Sequence, residues 1–236
     1  MKKILSLLTI SFVVFSCTSQ PENSASKNAN PVKIEFFETY SSAEVQHVWP
    51  AICNWAKEND SLVSTYNLRS SDLVNLVKPS EDNCLGTVLP ENVETVKKVL
   101  GLEEVQHMLP KELKCMWSWK PVEQEDSKFR YVLYAIKRPK NDVAQLNGNH
   151  IKMASTQKDP YNQANMILLE MTPQGSKLWG KMTVENIGKY IAIALDDQVM
   201  SCPYVQSAIT GGDTQISGNM TNREAEDFAA GINAGL

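Results

Sequence analysis

The residues around Cys17 divide this chain before any secondary structure is considered. Lys2 and Lys3 precede an unbroken apolar and hydroxyl run over residues 4–15, then Ser16 and Cys17. A charged start, a short apolar core and a small residue before the cut form a bacterial export signal. Cysteine at the first position after the cut makes it a lipoprotein signal, because that thiol takes a diacylglyceryl group before cleavage. The apolar run of about a dozen residues falls short of the roughly 20 that span a bilayer, which argues against an uncleaved anchor. Residues 1–16 therefore read as a signal peptide, and Cys17 as the lipidation site holding the protein on the periplasmic side of the cell envelope. Thr18 and Ser19 follow in place of the aspartate that retains some lipoproteins at the inner membrane. That favours the outer membrane and leaves the choice open.

Residues 17–30, from the lipidated cysteine through TSQPENSASKNAN, have almost nothing to bury and read as a flexible tether. Ser24 and Lys27 spell S-x-x-K, but a tether holds no base against a hydroxyl. The fold begins near Pro31, leaving about 200 residues, enough for one sizeable domain or two small ones. A formal net charge of −4 with no basic block argues against nucleic acid as a partner. No later apolar run reaches membrane length; residues 190–195 come closest and are strand-sized.

Cys53, Cys84, Cys115 and Cys202 remain. An even count in an exported chain permits two disulfides, and buried free thiols are the alternative. Cys53 and Cys84 share a sequence region and are the first pair to consider. No C-x-x-C occurs, so zinc and thioredoxin-like readings have no support.

Residues 34–38 alternate as a strand. Ser41 and Glu44 form a capping box, followed by Val45, Val48, Trp49, Ile52, Trp55 and Ala56 on one helical face. Pro50 should kink that helix unless a new turn starts there. Residues 61–90 give no clear pattern. Pro90 opens a helix that Gly101 ends, and a shorter helix runs up to Pro110. Residues 115–119 and 129–137 read as neighbouring strands and 166–171 as a buried one. Thr172-Pro173 starts a helix with Leu178, Trp179 and Met182 inward. Residues 190–195 and 199–203 read as strands flanking a tight turn at Asp196-Asp197-Gln198, Gly211-Gly212 makes another turn, and Thr221 with Glu224 caps a last helix. Strands and helices mix without a strand-helix-strand rhythm, which favours α+β.

Residues 192–203, A-I-A-L-D-D-Q-V-M-S-C-P, resemble the A-I-V-L-D-G-x-V-x-S-A-P stretch of the SecD family of protein-translocase subunits. Residues 183–189 resemble its T-x-E-N-I-G-K, residues 209–212 its I-T-G-G and residues 216–221 its I-S-G-N-F-T. Residues 35–40 and 116–121 are similar to segments of some members. The resemblance covers the first periplasmic domain and implies an incomplete ferredoxin-like base over 31–140. A head-like region with a C-terminal return helix would follow over 141–236. The membrane helices of the family are expected to be missing. Asp197 stands where the family has glycine, and since such a turn needs φ > 0, the hairpin is expected to be rebuilt. Cys202 replaces a family alanine.

The family grips emerging chains with its periplasmic domain and draws power from proton flow through its membrane part. Only the gripping half is expected here, since intramembrane proton-relay residues go with the missing helices. The implied partners are unfolded exported polypeptides or components of the Sec translocase. The competing reading is an envelope lipoprotein with a structural role unrelated to Sec. No cofactor is implied, and no enzyme: His47, His107 and His150 lie far apart, and neither G-x-S-x-G nor a phosphate loop occurs. Gly211-Gly212-Asp213 reads as a plain turn ahead of an anion site. Asp196 and Asp197, being adjacent, point apart and make no acid–base pair. Trp49, Trp55, Trp117, Trp119, Trp179, Met171 and Met182 fall mostly at core spacing, with a Met-lined client groove as the alternative. Replacing Cys17 with alanine should yield a protein that no longer sediments with membranes; unchanged partition in a fractionation experiment would overturn the lipoprotein reading.

Overall fold

The structure is a computed structural model that describes residues 29–80 and 83–236, so Cys17 and nearly all of the segments expected to be signal peptide and tether lie outside the described residues. Strand β1 (Ile34–Glu38) leads into α1 (Ser42–Val45), where the Glu44 carboxylate accepts the Ser41 N–H at 2.8 Å and its hydroxyl at 2.7 Å. Helix α2 (Val48–Glu58) starts afresh after α1. Pro50 therefore sits in the first turn of α2, where no N–H is needed, and produces no kink. The stretch without a sequence pattern folds into the short α3 (Asp60–Thr65), α4 (Ser70–Leu73) and β2 (Cys84–Val88). Pro90–Asn92 is a single 3-10 turn opening α5 (Val93–Leu100), and α6 (Glu103–Met108) follows Gly101. Next come β3 (Leu113–Ser118), β4 (Val122–Glu123) and β5 (Phe129–Lys137).

The second half contains β6 (Leu146–Asn147), β7 (Ile151–Lys158), β8 (Asn165–Met171) and α7 (Pro173–Glu185). It closes with β9 (Ile191–Leu195), β10 (Gln198–Ser201), β11 (Asp213–Ser217) and α8 (Asn222–Ala234). Both long helices are capped as their sequences indicate. Thr172 Oγ1 accepts the Gly175 N–H at 3.1 Å, and the Glu224 carboxylate accepts the Thr221 N–H at 2.7 Å.

Two sheets result. The larger runs β2-β5-β3-β10-β9-β1-β6 with β4 beside β5; the smaller runs β11-β8-β7. Among the described residues, only β10 and β3 pair in parallel and every other strand pair is antiparallel. The architecture is α+β. Strands β9 and β10, from the second half of the chain, lie between β3 and β1 of the first, so the large sheet draws on both halves.

Alternation along β1 divides the packing. Ile34 and Phe36 join Trp179, Ile167, Leu169, Ile193 and Ile232 in one buried cluster, while Phe37 joins Met116, Ile136, Ala192, Ala194 and Val199 in another. A third cluster lies under the helices of the first half, built on Ile52, Val63, Val96, Val105 and Leu133. Phe36 and Trp179 meet with ring centroids 5.3 Å apart. After β3 the chain is clasped to α8: Trp119 packs edge-on to Phe228 at 5.3 Å, and Lys120 lies 4.0 Å over the Trp119 ring and 3.1 Å from Glu224.

Two predictions follow from this packing. A Cβ at Gly175 would lie 2.2 Å from the His150 carbonyl oxygen, whereas one at Gly211 would meet nothing within 4 Å. Gly175→Ala should cost about 1–3 kcal/mol by overpacking and Gly211→Ala far less, as read by denaturant unfolding. The second concerns acid. Glu44 is held below the usual carboxylate range by Ser41, Glu224 by Thr221 and Lys120, Asp197 by Lys114 and Asp126 by Arg130. A depressed folded-state pKa contributes stability above the unfolded-state value and loses it as pH falls through the folded value. Thermal stability should therefore be flat near neutrality and decline below about pH 4; a melting temperature that held steady there would contradict these pairings.

Candidate functional site

A groove opens where the large sheet runs out of strand. β9 pairs with β1 along its whole length, but β6 reaches only Glu35 and Phe36. Residues 138–145 bow away from the sheet, pinned by Arg138 N–H to the Glu112 carbonyl at 2.6 Å and by Asn147 Nδ2 to the Ala144 carbonyl at 2.9 Å. The space between this segment, β1 and α7 is a groove of about 570 Å³. That volume falls in the range of small-ligand or peptide-segment pockets.

Phe36, Leu146, Leu178 and Met182 supply apolar lining. Leu178 and Met182 stand one turn apart on α7 and are half-buried, while Trp179 between them is fully buried in the core. Helical spacing marked all three as inward-facing; the core takes Trp179, and the other two face the groove as well. Val143, at 58% exposure, adds an apolar side chain from the bowed segment. Both signs of charge surround these groups: Lys137, Arg138, Lys140 and Lys181 against Glu38, Glu112 and Glu185. An unbranched methionine beside mixed charges suits an extended chain of varied sequence better than one rigid ligand.

The turn between β9 and β10 is Asp196-Asp197 alone, with Gln198 already in β10, so the expected three-residue turn is shorter by one and the hairpin is not rebuilt, which corrects both expectations. Asp196 and Asp197 adopt φ of 46° and 63°, as a tight hairpin with right-twisted strands requires. The cost of αL aspartate is offset by bonds a glycine cannot make. Asp196 Oδ1 accepts the Lys33 N–H at 2.8 Å, and Asp197 pairs with Lys114. At the other glycine turn, Gly212 has φ of +79°, its carbonyl accepts the Met171 N–H, and a Cβ there would lie 2.3 Å from Ser176 Oγ. Gly212 thus seats β11 against β8 and α7.

No disulfide joins the four cysteines in this structure. Cys84 and Cys115 flank β5 on opposite sides, opposite Tyr134 and Ala135. Two strand spacings separate them by about 9.6 Å, too far to bridge. Cys53 and Cys84 line one cavity of about 280 Å³, which keeps them the pair to test for oxidation. Burial pushes the Cys115 thiol up to about 12 and raises Cys53 as well, the opposite of what a reactive thiolate needs. Cys202, half-buried, accepts a hydrogen bond from Asn83 Nδ2 at 3.0 Å. His47 precedes α2, His107 sits in the last turn of α6, and His150 Nδ1 lies 3.2 Å from Asn147 Oδ1. Among the described residues no group of three or more histidine, cysteine or carboxylate side chains is placed to hold a metal. Nor, among them, is any helix long and apolar enough to cross a membrane.

Residues 124–236 match the family model for the SecDF P1 head subdomain, a span that includes α7, β6 and the bowed segment of the groove. Protein translocase subunit SecD of Syntrophobacter fumaroxidans is 37% identical over 95 residues, covering 40% of this chain and 18% of that protein. SecD of Rhodothermus marinus is 29% identical over 151 residues, or 64% of this chain and 24% of that protein. SecD of Calditerrivibrio nitroreducens is 39% identical over 85 residues, 36% and 16% of the two chains. The chain thus spans about a fifth of the length of these relatives. A structure of SecDF described as a membrane component that enhances protein export aligns over 88% of this chain and 64% of that one, at 20% identity and a TM-score of 0.44. By its sequence, with the head subdomain as the matched part, this chain resembles the first periplasmic domain of the protein-translocase subunit SecD.

Proposed function

We propose that this protein is a non-catalytic, lipid-tethered module that binds unfolded polypeptides beside the Sec export route. The observation that carries the reading is the groove beside α7, where Leu178 and Met182 stand half-buried within the region that matches the SecDF head. A buried apolar side chain needs a packed partner; a half-buried one in a groove gains from a guest. Mixed charges beside it select against no particular client sequence.

The division of the chain follows from this reading. Residues 1–16 direct export, Cys17 carries the acyl chains, 17–30 form the tether, and the base-like and head-like regions divide near residue 140. With the module held at a membrane surface, tethering raises local concentration in place of tight binding. A grip that must release is expected to be weak and largely governed by dissociation rate. Candidate partners are exported chains in transit and, at the membrane, components of the Sec translocase.

The test is a titration of the purified full-length protein with an unfolded exported protein and with the same protein folded. Saturable binding to the unfolded form alone is expected, with no need for nucleotide or a proton gradient. Met182→Asp should weaken it about tenfold, the loss of one apolar contact with the guest. Failure to bind either form at millimolar concentration would leave a structural envelope role as the better account.

A further inference from the structure

Strand β7 is the outer strand of the small sheet: it pairs with β8 along its length, and no other strand of the described residues lies on its far side. At Ala154 that open edge is already occupied. The Asn233 side chain, near the end of α8, accepts the Ala154 N–H through Oδ1 at 2.7 Å and donates from Nδ2 to the Ala154 carbonyl at 2.8 Å. These are the two bonds that a neighbouring antiparallel strand would make to one residue. Backbone groups of alternate residues point to the same edge, so Thr156 and Lys158 turn their N–H and C=O the same way as Ala154. Both are exposed. The helix bearing Asn233 is held from its other side by the chain entering the fold. Val32 donates its N–H to the Gly231 carbonyl at 2.9 Å, and a Cβ at Gly231 would lie 2.5 Å from Val32 Cγ2.

We propose that the β7 edge is a backbone-reading contact for unfolded polypeptide, with the Asn233 amide as its built-in competitor. The proposal rests on the reading that the protein binds unfolded chains, and it adds a second contact to the groove. An extended client adding to β7 would bond to Thr156 and Lys158 and displace Asn233 from Ala154. Main-chain pairing takes its affinity from groups common to every sequence, which suits a binder of many clients. Competition from Asn233 keeps such pairing reversible. Lys158, exposed on β7, is the kind of edge charge that discourages a permanent second strand.

The experiment titrates the full-length protein with a fluorescently labelled, reduced and carboxymethylated secretory protein, which stays unfolded in buffer. Asn233→Ala should tighten binding about tenfold, since the client no longer displaces two hydrogen bonds. Thr156→Pro, which removes an outward N–H, should weaken it. Because proline can strain the strand, amide exchange on the wild-type protein gives an independent readout: the probe should slow exchange at Thr156 and Lys158. Wild-type binding that neither variant alters, with no slowing at those amides, would overturn the edge proposal and leave the module reading intact. If neither wild type nor Asn233→Ala binds the probe, both fall together. If Asn233→Ala self-associates without probe, and Thr156→Pro in the same chain reverses it, the edge takes a second copy of this protein and the client proposal is wrong.

Discussion

Strand β1 is the constraint on which the rest of the molecule depends. Its five residues, Ile-Glu-Phe-Phe-Glu, send Ile34 and Phe36 to one side of the large sheet and Phe37 to the other, so one strand seals two of the three buried clusters. Phe36 against Trp179 joins the large sheet to α7, and α7 in turn packs over β8 of the small sheet. Slipping β1 by one residue would place Glu35 where Phe36 meets Trp179 and send Ile34 and Phe36 into the opposite cluster. Its pairing with β9 across all five residues fixes the register, and the Asp196–Lys33 contact at the adjacent hairpin supports it.

The groove is a by-product of that same strand. Because β6 covers only two residues of β1, the segment beyond it leaves the sheet while α7 stays docked through Trp179. The space between is walled by rigid elements on two sides and by a bowed segment on the third. That arrangement offers apolar side chains to a guest without unfolding anything, which fits reversible capture better than a deep enclosed site would. The edge of β7, guarded by one amide, is a second place where the fold is finished by a side chain and not by a strand.

What could be read from residues alone was local chemistry. Both capping boxes, the proline-led starts at Pro90 and Pro173, and the alternating strands needed only neighbours within a few positions, and they appear where their signals lie. The turn at Asp196-Asp197 shows the limit. Propensity argued for rebuilding, yet bonds from Lys33 and Lys114, distant in sequence, hold both aspartates in the left-handed region. The first helix breaks into two at Gln46-His47, so Pro50 serves as a starter where a kink was the alternative. Residues 61–90 lacked periodicity because their described part holds short helices and one fully buried strand, whose signals span too few residues to register. The groove was hidden for a different reason. Leu178, Trp179 and Met182 look alike by spacing, and only the path of residues 138–145 determines which of them also faces an opening.

The central claim is that an unfolded chain contacts Met182 in the groove. Methionine-methyl NMR on the protein, labelled at its methionines, tests this directly. As unfolded exported polypeptide is added, the Met182 methyl should shift progressively while that of Met116, buried and not part of the groove lining, stays fixed. Saturable binding that left the Met182 methyl unmoved would contradict the account.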